Sequence, residues 1–164
     1  GLKFGHSDCV IVYPADDFLN FNIIDLMYKG FCDGNDIIVA SRFMKGGSMK
    51  GCPIIKSLLV RFVSTTLFLF SSIPVRDASN GFRLFSRKLL NSVQIESTLG
   101  FAYSLELLAK CNRMGLKIKE IPAQWEERSK GTSRFKIIKW SPDYLRWYFY
   151  GLGTTWLRKK IEND

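Results

Sequence analysis

The chain has 164 residues, 46% of them hydrophobic and 24% charged, a length and balance suited to one domain with a buried core. That composition excludes a disordered tail, a collagen-like chain and a polytopic membrane bundle. A formal net charge of +9, from 24 Lys and Arg against 15 Asp and Glu, calls for an anionic partner: nucleic acid, a phosphorylated ligand or acidic lipid headgroups.

Cys9 to Tyr13 is a short apolar run rich in β-branched residues, closed by Pro14 and the carboxylates Asp16 and Asp17. It reads as a buried parallel strand with acids at its carboxyl end. Asn22 to Phe31 has helical spacing and closes at Gly30, and Asp36 to Ala40 reads as a second buried strand ending at Ser41-Arg42. Strand, helix and strand within some thirty residues predict a βαβ unit, which gathers its polar groups at the edge where open α/β sheets bind ligands. Met44 to Pro53, with three glycines, reads as a loop.

Ile54 to Phe70 is almost continuously apolar, interrupted by Lys56 and Arg61. Two cations and 17 residues argue against a membrane span and for a buried or membrane-surface helix. No acid occurs between Asp36 and Asp77, whereas Arg42, Lys45, Lys50, Lys56, Arg61 and Arg76 all fall there. This is the basic stretch of the chain. Asp77 to Arg87 reads as a turn followed by a strand, Gly100 to Met114 as a helix stopped by Gly115, Lys117 to Pro122 as an edge strand, and Trp125 to Lys136 as a polar loop. From Ile137 to Ile161, Trp and Tyr mix with Lys and Arg, the composition of a helix lying in a membrane interface. The four cysteines form no CxxC pair and, with one histidine, build no zinc site; they read as reduced, mostly buried thiols.

Asp16 and Asp17 offer hard oxygens suited to Mg²⁺ or Mn²⁺ bridging to a diphosphate, although such a pair also serves as a helix N-cap. Arg42, with no acid near it in the chain, reads as an anion-binding group beside them. Asp77 is either a carboxylate base or the cap of its turn. Glu106, on the apolar helix, reads as a structural partner for backbone or a cation, and Arg83 and Arg87 as fold-stabilising or site residues. The cations lie at strand ends and in one helix rather than along a recognition helix, which speaks against a nucleic-acid module.

The segments VIVYPADD, DIIVASRF, KSLLVRFVS, DASNGFRLFSR, GFAYSLELL and KIKEIPAQWEERSKGTSRFK follow one another in an order that resembles the family-2 glycosyltransferases of the GT-A fold. The branch is that of dolichol-phosphate mannose synthases and polyprenyl-phosphate glucosyltransferases, and the likeness runs from about Gly5 to Lys136. It implies a Rossmann-like mixed sheet flanked by helices over 1–136, an aromatic and basic membrane-surface tail over 137–164, and a nucleotide-binding half preceding Gly1. Asp16 looks like the second aspartate of the family's D-x-D motif, Pro14 standing where the first would be. With Asp17 it would hold the divalent ion on the donor diphosphate.

The same resemblance casts Arg42 and Lys56 as the pair that holds an acceptor phosphate, Lys56 standing where Arg is commoner. Asp77 falls near the reaction centre, and Arg128, Ser133 and Arg134 in a loop closing over the donor diphosphate. The implied reaction moves a sugar, with inversion, from a nucleotide sugar to a polyprenyl phosphate at the cytoplasmic face of an anionic membrane. A phosphate acceptor is already ionised near neutral pH; a sugar-hydroxyl acceptor, as in polysaccharide or glycolipid synthesis, would need a base, and Asp77 would be that base.

Overall fold

The computed structural model describes residues 2, 6–126, 137–153 and 155. Its strands are β1 (Cys9–Val12), β2 (Ile37–Ser41), β3 (Ser48–Lys50), β4 (Arg83–Ser86), β5 (Ile118–Pro122) and β6 (Gln124–Glu126). Its helices are α1 (Ile24–Cys32), preceded by a 3₁₀ turn at Phe21–Ile23, α2 (Ile54–Phe70), α3 (Arg87–Ser92), α4 (Ala102–Arg113) and α5 (Ile137–Gly153). The class is mixed α/β, a layout compatible with part of a Rossmann-like GT-A domain.

The main sheet has the order β1-β4-β2-β5, with β4 antiparallel to both neighbours and β2 parallel to β5. Strand β2, IIVAS, is wholly buried because it lies centrally with both faces covered. Its side chains alternate: Ile37 and Val39 join the core on one face, Ile38 and Ala40 that on the other. The first core also takes Leu67, Phe85, Leu105, Leu108 and Trp147; the second takes Met27, Leu84 and Ile121. Helix α4 is buried on nearly every side because α5 packs over it, and Gly115, at φ +70°, turns the chain just past its end.

Three expectations are corrected. Strand β1 is half-buried and antiparallel to β4, its one partner among the described residues. β4 enters between the two strands of the expected βαβ unit, so the carboxyl end of β2 is one strand removed from that of β1. The loop at Met44–Pro53 contains β3, which pairs in parallel with β6. Of the free cysteines only Cys111 is buried, Cys9 and Cys52 being partly covered and Cys32 exposed.

Candidate functional site

Strands β1, β2 and β5 run in one direction and β4 in the other. One sheet edge therefore collects the residues after β1, β2 and β5 and those leading into β4. Asp16 stands exposed at this edge, but Asp17 is spent locally. Its carboxylate accepts the backbone N–H of Leu19 (2.9 Å) and of Asn20 (3.1 Å) and the Asn20 side-chain amide (2.6 Å). The buried Asn20 in turn donates to the Gln124 carbonyl at 2.7 Å and accepts the Gln124 N–H at 2.9 Å, tying the turn after β1 to β6. The structural reading of Asp17, a turn-capping residue, is the one its contacts describe.

Arg42 and Asp77 meet across 35 residues of chain. The guanidinium Nε and Nη2 donate to the two carboxylate oxygens at 2.7 and 2.9 Å, and the Arg42 backbone N–H adds a third contact at 3.0 Å. Nη2 also reaches the Ser79 hydroxyl at 2.7 Å, while Nη1 meets the Met49 sulfur at 3.8 Å. Asp77 further caps its own turn, accepting from Ser79 and Asn80. Burial pushes its carboxyl up; the Arg42 guanidinium, with Ser79, outweighs that and leaves the group below its ordinary value. The expectation that no acid competes for Arg42 is thus corrected, and a wholly buried, charge-paired Asp77 is not placed to take a proton from a substrate.

Two backbone devices hold the pair. Glu120 on β5 accepts the N–H groups of Arg76 and Asp77 at 2.5 and 3.1 Å. Gly47 lies so close over the end of β2 that a Cβ there would stand 2.4 Å from the Ser41 carbonyl oxygen.

Helix α2 brings two further cations towards the same edge. The Lys56 ammonium stands 5.3 Å from the centre of the Trp125 ring, next to β6. The Arg61 guanidinium lies 4.7 Å and the Arg42 guanidinium 5.1 Å from the centre of one ring, Phe43. So Arg42, Lys56 and Asp77 belong to one basic edge. Arg128, Ser133 and Arg134 lie outside the described residues.

Two residues carry more of this frame than their local sequence announces. Arg83 is fully buried and donates to the carbonyls of Ala78, Asn80 and Ser104, fixing the turn that carries Asp77. Burial brings its guanidinium down to about 10. Asn20 had no motif to mark it. The role of Asp77 had a signal, because it is the first acid after the acid-free stretch that contains Arg42. Glu106 accepts the N–H groups of Glu96 and Ser97 and the Lys110 ammonium, and Arg87 donates to the Ser7 and Leu2 carbonyls; both hold the fold away from this edge.

No protein-family model matches the chain. Curated relatives do. The polyprenol monophosphomannose synthase of Mycolicibacterium smegmatis is 22% identical over 152 residues, 85% of this chain and 57% of the relative. The dolichol-phosphate mannosyltransferase of Pyrococcus furiosus is 25% identical over 138 residues, 83% of this chain and 38% of the relative. The dolichyl-phosphate beta-glucosyltransferase of Saccharomyces cerevisiae is 31% identical over 95 residues, 56% of this chain and 28% of the relative. The chain thus spans about half, or less, of the length of the curated relatives it matches.

Proposed function

We infer, from a chain whose relatives are family-2 polyprenyl-phosphate sugar transferases, that it takes part in moving a sugar from a nucleotide-sugar donor to a polyprenyl phosphate, with inversion at the anomeric carbon. The alternative within the class is a sugar-hydroxyl acceptor. The observation that carries the choice is the state of Asp77. A hydroxyl acceptor needs a carboxylate base, and the candidate for that work is buried and bound to Arg42. A phosphate acceptor arrives ionised and needs cations instead. Lys56 and the Nη1 side of Arg42, which meets the weak thioether acceptor of Met49, would supply them.

A divalent ion fits here in part. Mg²⁺ and Mn²⁺ bind through one or two carboxylates and the phosphates of a substrate, and Asp16 offers one exposed carboxylate at the strand end. Asp17 is the weaker candidate, because its two oxygens already accept three hydrogen bonds within their own turn. The ion would neutralise charge building on the departing nucleoside diphosphate. Asp16 would hold it, and Arg128, Ser133 and Arg134 would close over the diphosphate. The isoprenoid chain of such an acceptor stays in the bilayer, so the reading places this edge at the anionic cytoplasmic surface of a membrane. No helix among the described residues is long and apolar enough to cross one.

The test is incubation of the full chain with polyprenyl phosphate and labelled nucleotide sugars, followed by separation of lipid-linked sugar. Asp16→Asn is expected to cut turnover by about two orders of magnitude, as loss of a transition-state charge contact does. Lys56→Gln is expected to raise KM for polyprenyl phosphate more than KM for the nucleotide sugar. Label entering a water-soluble sugar acceptor but not the lipid would overturn the reading.

A further inference from the structure

Two cations of the basic edge rest on uncharged seats. Arg42 Nη1 donates to the Met49 sulfur at 3.8 Å, and the Lys56 ammonium stands 5.3 Å from the centre of the Trp125 ring. Met49 and Trp125 are register partners in the parallel pair β3–β6, so their side chains leave that ribbon on one face, side by side. Neighbouring residues of one short ribbon thus meet both cations.

One of these seats is chemically alterable. A thioether is a weak acceptor and holds a guanidinium loosely. Oxidation to the sulfoxide turns it into a polar group with an oxygen that accepts hydrogen bonds. The change would be felt at Nη1, because Nε and Nη2 are already engaged by Asp77 and Ser79. At 3.8 Å the sulfur is outside the range of a close hydrogen bond, and an oxygen carried on it would close that gap. Access differs among the four methionines. Met27 is fully buried and Met114 packs against the main core. Met44 and Met49 are half-buried near the edge, and of the two it is Met49, on a strand of three residues, whose sulfur meets Arg42.

We propose that Met49 is a peroxide-sensitive modification site, whose sulfoxide oxygen takes the Arg42 Nη1 donor and weakens the binding of a phosphate there. Hydrogen peroxide transfers one oxygen atom to a sulfur lone pair, its O–O bond breaking as the S–O bond forms. The sulfur loses two electrons, and the second peroxide oxygen leaves as water with both protons. The product adds no net charge, but its partly negative oxygen competes with an anion for the guanidinium. The modification is reversible, because methionine sulfoxide is reduced enzymatically. That Nη1 serves a phosphate rests on the function inferred above; the contact between the sulfoxide and Arg42 does not.

The experiment exposes the full chain to graded hydrogen peroxide, restores its thiols with dithiothreitol and maps oxygen uptake at each methionine by peptide mass spectrometry. Met49 is expected to oxidise before Met27 and Met114. The first readout is the rate at which phenylglyoxal, an arginine-selective dione, modifies Arg42 with no phosphate present. Oxidation should slow it about tenfold, the weight of one hydrogen bond to a charged group, and leave the rate at the exposed Arg76 unchanged. The second is calorimetric binding of farnesyl phosphate without a sugar donor, expected to weaken by a similar factor and to recover after treatment with methionine sulfoxide reductase. Met49→Leu, close in volume and free of sulfur, should remove the peroxide effect from both readouts. Met49→Gln, with an amide oxygen in place of the sulfoxide oxygen, should show both effects without peroxide.

A Met49 sulfoxide that leaves Arg42 reactivity unchanged would overturn the proposal, as would a peroxide effect of equal size in Met49→Leu. So would oxidation of Met49 only in step with the buried Met27, since unfolding would then be the cause. Slowed Arg42 modification in a chain that never binds farnesyl phosphate would leave the Met49 site standing and count against the phosphate acceptor. Transfer to polyprenyl phosphate that Met49 oxidation does not change would do the reverse.

Discussion

A buried guanidinium and carboxylate locked in two parallel hydrogen bonds stand or fall together. Removing one partner leaves the other charged and unpaired in a dry place, at a cost of about 3–5 kcal/mol. Asp77→Asn is therefore expected to destabilise the chain by roughly that amount in urea unfolding, although it keeps the shape of the site. The acid limb should change as well. Because the folded carboxyl sits below its ordinary value, its contribution is complete above the unfolded value of about 3.9 and is lost as pH falls through the folded one. The urea midpoint of the parent chain should drop across that acidic range, and that of Asp77→Asn should drop less steeply; parallel curves would mean that Asp77 is not the group being titrated. At this scale the chain was legible in kind but not in pairing. Arg42, Lys56 and Asp77 lie along one edge, yet the carboxylate expected to meet a substrate meets Arg42. Nothing local to Arg42 shows an acid 35 positions away, and only tertiary contact brings the two together.

Elements formed by local pattern were the easiest to read. The bounds Ile54–Phe70 of α2 follow a largely apolar run between Pro53 and Ser71-Ser72, and the end of α4 follows from Gly115. Pairing was harder, since a strand's neighbours depend on segments far along the chain. Cys9–Val12 has the apolar, β-branched content of a buried parallel strand, but the antiparallel β4 reaches it first and the far side is left without a strand among the described residues. In the short β3 three residues, Ser48–Lys50, are too few for their polar-apolar-polar order to mark a strand; it is a strand because β6 is beside it. Gly47 makes that approach feasible. A methyl group at Gly47 would collide with backbone atoms of Ser41 and Arg42 rather than with a side chain that could swing aside. Gly47→Ala should cost about 1–3 kcal/mol, the usual range for forced overpacking. Hydrogen exchange should locate the damage, with faster exchange at Ser48, whose N–H bonds the Ala123 carbonyl, and little change in α4. Uniform loss across the chain would mean that the β2 end, rather than the β3–β6 pair, gives way.

For the whole molecule, the informative element is α5. Its mixture of aromatics and cations is that of an interfacial helix, and composition alone does not say which ring faces which neighbour. In the folded chain the rings divide. Trp147 is only 2% exposed and sits within the main core, Tyr144, Tyr148 and Tyr150 pack at its border, and Phe149 and Leu145 face outwards. The cations of this region have partners too: the Lys110 ammonium and the Arg146 guanidinium both lie within 5 Å of the centre of the Trp147 ring, at 4.9 and 4.8 Å, and both pair with Glu96. Burial of one indole, two cation contacts and a shared carboxylate fasten α5 to α4, so α5 helps close the core that supports the sheet. Trp147→Ala should then cost about 3–5 kcal/mol, as truncation of a buried aromatic does. Against the 5–15 kcal/mol of a typical domain that is a large share, and it should appear as a fall in Tm and a loss of near-ultraviolet circular dichroism from neighbouring Tyr144 and Tyr150. Phe149→Ala, at an exposed position on the same helix, is expected to change Tm little. If the two substitutions behaved alike, the division of α5 into a core side and an outward side would be wrong, and the helix would be a surface appendage whose aromatics serve something other than the fold.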